Sequence, residues 1–152
     1  MNLVIKIVSG GQTGADRAAL DWAIDNGIPH GGWCPKGRKA EDGEIDARYQ
    51  LQESTSANYL QRTEWNVRDS TGTVIFTLRT ELSGGSKKTA DFATKHKKPW
   101  IHLHGDLGIE VCAAQLKRFI AENNVTVLNV AGSRGSKEPG VAGFVCAVLH
   151  SV

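Results

Sequence analysis

Three short segments carry residue types at a spacing that suits one task, the capture of an anion. They are Ser9-Gly10-Gly11-Gln12-Thr13-Gly14, Ser83-Gly84-Gly85-Ser86-Lys87-Lys88-Thr89 and Ala131-Gly132-Ser133-Arg134-Gly135-Ser136. Each follows an apolar, β-branched run and precedes a helix-like stretch. A strand that runs through glycines into a helix start points free N–H groups outward, adds the positive end of the helix dipole and lets a ligand approach the backbone. Three such corners in one short chain predict that the carboxyl edge of a parallel sheet holds a phosphorylated molecule.

The candidate binding residues follow from these corners. The first corner offers Gly10, Gly11, Gln12, Thr13 and Gly14, with Asp16 and Arg17 just inside the helix. Asp16 reads equally as dipole compensation or as a hydrogen-bond partner for a ligand amine or hydroxyl. The second corner offers Gly84, Gly85, Ser86, Lys87, Lys88 and Thr89. A lysine pair opposes the dipole at a helix start, and a bound anion would offset that cost. The third corner offers Gly132, Ser133 and Arg134. Arg134 suits a bidentate grip on phosphate or molybdate-type oxygens, and equally suits a surface position or a carboxylate across a subunit contact. Lys36 and Arg38 follow the second strand, where a nicotinamide-binding chain would carry an acid for the ribose. They favour a ligand with extra negative charge. Cys34 is a candidate soft ligand or an inert thiol. His102 and His104 read as surface histidines without a third metal ligand.

The elements that must position these groups alternate. Leu3 to Val8 reads as a strand, and Ala15 to Asn26 as a helix closed by Gly27. An irregular strand over Ile28 to Trp33 leads to a polar loop from Cys34 to Gly43. Helix 57–67, strand 73–78, a helix to about Lys97, strand 99–103, helix 108–123 and strand 125–130 follow. A last helix begins near Pro139. It is apolar nearly all round, which predicts cover on both sides, from the sheet and from a second subunit. The pattern is that of a single-domain Rossmann-like α/β fold over residues 1–152, doubly wound, with a mainly parallel sheet and helices on both faces.

Bulk properties narrow the classes. The chain has 152 residues, 22% of them charged, and a net charge of +2, too small to imply nucleic acid. Its three scattered cysteines give neither a disulfide framework nor a thiolate zinc site. No apolar stretch is long enough to span a bilayer and no leader pattern is present, so the expectation is a cytoplasmic protein.

The first corner through Arg17, the run from Trp33 to Gly43, the pairs Arg62-Thr63 and Asn66-Val67, and the run from Asn129 to Arg134 together resemble the molybdenum cofactor carrier proteins. The resemblance covers nearly the whole chain. It implies a Rossmann-like fold related to the cytokinin-activating phosphoribohydrolases. It also implies a homo-oligomer, dimeric or tetrameric, that binds molybdenum cofactor as cargo, protects it and hands it to cofactor-accepting molybdoenzymes. No catalytic residue and no protein metal site is implied, since molybdenum arrives with the pterin. Asp16 or Asn129 would read the pterin edge. The related hydrolases carry Pro-Gly-Gly-x-Gly-Thr where this chain has the longer second corner. An enzyme acting on nucleoside monophosphates, with Asp91 or Asp16 and Arg17 or Arg62 at work, is therefore the alternative. A nucleotide-binding protein without turnover is another.

Overall fold

The computed structural model describes residue 1 and residues 3–152. The main sheet is built from β1 (Lys6–Val8), β2 (His30–Gly31), β7 (Gly72–Thr77), β8 (Trp100–His104) and β9 (Val127–Gly132). All its pairings are parallel and its order is β2-β1-β9-β7-β8. The β-branched runs Lys6–Val8 and Gly72–Thr77 form strands because such side chains pack well on a pleated surface. The last strand in sequence lies at the centre of the sheet, between β1 and β7.

The two sheet faces differ in chemistry. Ile7, Val74, Phe76, Leu128 and Val130 point to one side, where they form the apolar core with α1 (Ala15–Asp25), α4 (Ile109–Glu122) and α5 (Val141–Ser151). The alternate residues Thr73, Ile75 and Asn129 face the other side, where Asn129 Nδ2 donates to Thr73 Oγ1 at 3.2 Å. There α2 (Tyr59–Arg68) and α3 (Gly84–Lys95) pack together, and α3 lies against β7 and β9. Among the described residues no helix is long and apolar enough to cross a membrane.

Most boundaries match the sequence expectations, with two differences. The expected strand 28–33 divides into β2 and a separate β3 (Trp33–Cys34), which pairs in parallel with β6 (Gln52–Glu53). Gly32, at φ +124°, makes the break. The expected loop after Cys34 contains a small hairpin, β4 (Lys39–Ala40) with β5 (Gly43–Glu44). Within the chain, α5 is covered on one side, the side expected to face the sheet. Val141, Val145, Val148 and Leu149 are buried, whereas Ala142 and Gly143 are exposed.

One glycine is fixed by crowding. Gly132 ends β9 at φ +155°, and a Cβ there would stand 2.1 Å from the Phe76 carbonyl oxygen and 2.7 Å from Ala15 Cβ. Gly132→Ala is expected to cost roughly 3 kcal/mol, from overpacking and backbone strain together. Urea denaturation measures it, and a loss below about 1 kcal/mol would contradict this tight junction.

Candidate ligand pocket

Because β1, β9 and β7 are neighbours, the corners at their carboxyl ends stand side by side, one strand spacing apart. They enclose a pocket of about 350 Å³. Gln12 and Asp16 line it from the first corner, Gly85, Ser86 and Thr89 from the second, and Gly132, Ser133 and Arg134 from the third. Helix α2 closes the remaining side with Tyr59, Arg62 and Thr63.

Two of the three corners already hold carboxylates of the chain itself. At the first, Asp16 Oδ2 accepts from the Gln12 N–H at 3.3 Å and from Arg62 Nη1 at 3.1 Å. Between the first and third, the Glu41 carboxylate accepts from Thr13 Oγ1 and from Ser136 Oγ, the latter at 2.7 Å. These hydrogen bonds hold the Glu41 carboxyl below the usual range. Behind the third corner, Glu138 accepts from Ser133 Oγ at 2.5 Å and from the N–H groups of Leu78 and Arg79, each at 2.9 Å. Burial works against the Glu138 charge, but these donors carry its carboxyl below the ordinary value.

The second corner remains open. Ser83 precedes α3 without a side-chain cap, and the first turn has no acid. Among the described residues the N–H groups of Gly84, Gly85 and Ser86 meet no acceptor. Two cations stand over this opening. Lys137 Nζ donates to Ser83 Oγ at 2.9 Å. The Arg134 guanidinium lies 4.6 Å from the centre of the Tyr59 ring and has no carboxylate partner among the described residues. Lys39, at 5.1 Å, and Arg62, at 5.8 Å, flank the same ring. The opening is thus a helix start and two cations that make no salt bridge among the described residues, beside an aromatic face, an arrangement that suits a planar molecule with an anionic arm.

The floor is an ion pair. Asp16 is buried, and desolvation raises its carboxyl pKa while Arg62, the Gln12 N–H and Ser9 oppose that rise. Gly10 makes room for the arrangement, since a Cβ there would lie 2.0 Å from Arg62 Nη1. Arg62 Nε is buried and lacks an acceptor among the described residues.

Several sequence candidates lie elsewhere. Arg17 turns away and pairs with Asp42 at 2.5 Å and with the Gly11 carbonyl at 3.0 Å. Gly11 itself packs under Ile45 and Leu51, and Gly14 against the backbone of Ser133 and Gly135. Arg38 spends its guanidinium on the carbonyls of Ile45, Asp46, Tyr49 and Leu51, which shapes the loop and does not line the pocket. Lys36 is exposed. Lys87 and Lys88 are exposed too, outside the pocket wall, with Lys87 paired to Asp91 at 3.8 Å. Gly84 sits at the rim, 3.4 Å from Lys137 Nζ at its would-be Cβ. The Cys34 thiol is fully buried and pushed up by burial, and so is not presented to a metal. His102 is tied to Thr77 Oγ1 at 2.6 Å.

Residues outside the candidate binding set complete the pocket: Tyr59, Lys137, and Arg62, which the sequence offered only for the hydrolase alternative. A signal for two of them existed. Tyr59 and Arg62 are three apart on α2 and share a helix face.

A parallel sheet with its C-terminal strand at the centre, and a pocket made by the corners of its three middle strands, defines a Rossmann-like α/β protein with a small-molecule-sized pocket at its sheet edge. Residues 7–152 match the model of the family described as circularly permutated YpsA SLOG, and the chain belongs to that family. The structure is also similar to a crystal structure from Syntrophus aciditrophicus SB described as a "putative molybdenum carrier protein". The two are 46% identical with a TM-score of 0.96, over 98% of this chain and 94% of the other. No protein of curated function matches the chain.

Proposed function

We propose that this protein binds molybdenum cofactor and carries it without altering it. The observation that supports this most is the open second corner, where free N–H groups at the start of α3 meet Arg134 and Lys137 beside the Tyr59 ring. In this reading the cofactor's phosphate sits on the α3 N-terminus and Lys137. Its pterin lies against Tyr59 and Arg134, with an edge toward the Asp16–Arg62 pair. A carrier needs only binding, so no acid or base has to be aimed at a reacting bond. The 46%-identical neighbour described as a "putative molybdenum carrier protein" supports the same ligand class.

The hydrolase alternative loses its leading acid. Asp91 is 57% exposed at its side chain, pairs with Lys87 and lies off the pocket wall. The proposed working state is a cytoplasmic homo-oligomer joined over the exposed side of α5, with molybdoenzymes as recipients.

Anaerobic incubation with free cofactor tests the proposal. Molybdopterin is expected to co-elute with the protein on gel filtration, and its oxidative decay to slow. If it neither co-elutes nor is protected, the carrier reading is overturned. Release of free base from a nucleotide panel would favour the hydrolase instead.

A further inference from the structure

Glu41 stands at the tip of the hairpin formed by β4 and β5 and reaches the pocket wall at Ser136. Both oxygens of its carboxylate are engaged there. Oε1 accepts from Thr13 Oγ1 and from the Ser136 N–H at 3.4 Å, and Oε2 accepts from Ser136 Oγ at 2.7 Å. Thr13 Oγ1 in turn accepts from the Gly135 N–H at 3.2 Å, so the donors run in one chain across the first and third corners. The nearby Arg134 charge also favours the Glu41 carboxylate. Hydroxyls and a backbone N–H converging on two oxygens, with a guanidinium close by, form a donor set for an oxyanion. Here the oxyanion belongs to the chain itself.

The Glu41 side chain can leave these donors while the hairpin stays in place. Other groups hold the hairpin. Asp42 pairs with Arg17 at 2.5 Å, Gln12 Nε2 donates to the Lys39 carbonyl at 2.9 Å, and Ala40 and Ile45 are buried. Glu41 is exposed, and exposed charge contacts are individually weak. Its advantage over an anion in solution is the local concentration that comes from being tethered. A free carboxylate has the same charge without that advantage. A doubly charged oxyanion gains more from Arg134 and the corner donors, and so can displace Glu41.

We propose that Glu41 is an internal competitor for the pocket, which occupies the donors of the first and third corners at rest and yields them to a doubly charged oxyanion group of the ligand. This rests on the anion-pocket reading above and adds the regulation of that site: entry is selected by charge as well as by shape.

The test is a titration of the full chain with inorganic phosphate near pH 8, followed by the amide NMR signal of Ser136. A site free of its own carboxylate only about a tenth of the time binds about tenfold more weakly, so in Glu41→Gln the phosphate midpoint at Ser136 should fall about tenfold. Glu41→Ala should show the same gain and keeps the test alive if the amide side chain misfolds the tip. Glu44→Gln, on the other strand of the hairpin, makes the same change in net charge away from these donors and should move the midpoint by less than about twofold. Signals of Gly85 and Ser86, at the open second corner, should keep one midpoint in every variant. An equal midpoint at Ser136 in the native protein and both Glu41 variants, or no response to phosphate there in any of them, overturns the proposal. A gain in Glu44→Gln as large as that in Glu41→Gln does so too, since it would show only the general field. The carrier reading is separable: molybdopterin retained with an unmoved Ser136 midpoint sinks only the competitor role of Glu41, and a moved midpoint without retained molybdopterin sinks only the carrier.

Discussion

Arg134→Ala is expected to weaken molybdenum cofactor binding about a hundredfold and to leave the fold intact. The guanidinium stands 4.6 Å over the Tyr59 ring at the open corner, and no carboxylate of the described residues occupies it. Removing a charged donor that pairs with a buried ligand anion typically costs about 2–5 kcal/mol. Loss of the stacking on Tyr59 costs the free protein only about 0.5–1 kcal/mol, because the site is solvent-accessible there. Affinity measured by pterin fluorescence should therefore fall steeply while the melting temperature moves by a few degrees at most. The paired change Lys87→Glu with Lys88→Glu is the control. Both lysines have the right charge and lie one turn away, but they are exposed and off the pocket wall. Wild-type affinity in Arg134→Ala, or a loss in the lysine pair as large as the one expected for Arg134, would move the anion elsewhere.

Arg62→Leu is expected to destabilise the protein by about 3–5 kcal/mol near pH 8, because it leaves the buried Asp16 carboxylate without its cation. The melting temperature should fall by roughly 10 °C or more. The loss depends on pH with a definite sign. Burial already raises the Asp16 pKa above its ordinary 3.8, and Arg62 is the first of the groups that oppose the rise. Between the ordinary and the raised value the native state holds more protons than the unfolded chain, so stability falls as pH rises through that window and is level above it. Without Arg62 the carboxyl moves higher and the window extends upward. The variant's deficit should therefore be smaller at pH 5 than at pH 8, since a protonated Asp16 needs no cation. Urea denaturation at the two pH values checks it. A deficit that is equal at both, or larger in acid, would show that Asp16 does not carry the effect.

The sequence reading of the helices succeeded where pattern and cap agreed. Helix α1 ends where Gly27 adopts φ +67° and Ile28 N–H reaches back to the Ala23 carbonyl at 2.9 Å, the closure that a glycine after an amphipathic run predicts. The same reading failed over 28–44, where strands of two residues give periodicity nothing to register.

Within the candidate site, the corners and much of their lining were legible, and the cations only in part. Charge and position in a motif favoured Lys36, Arg38, Lys87 and Lys88, yet Arg38 is consumed by four loop carbonyls and the two corner lysines point outward. Whether a cation is free for a ligand depends on what its neighbours in space demand of it. Glu41, which bonds Ser136, and Glu138, which bonds Leu78, lie 95 and 60 residues from those partners.

By itself the sequence determined that strands end in glycine corners and enter helices, because backbone freedom at Gly14 and Gly132 and β-branched runs before them are local properties. It did not determine that the corners meet. That followed from β9 inserting between β1 and β7, a choice made by long-range parallel pairing and by the burial of Leu128 and Val130 in the core, which no local pattern encodes. The tertiary structure alone then decided which corner stays open, because Glu41, far in sequence from Ser136, occupies the space between the other two.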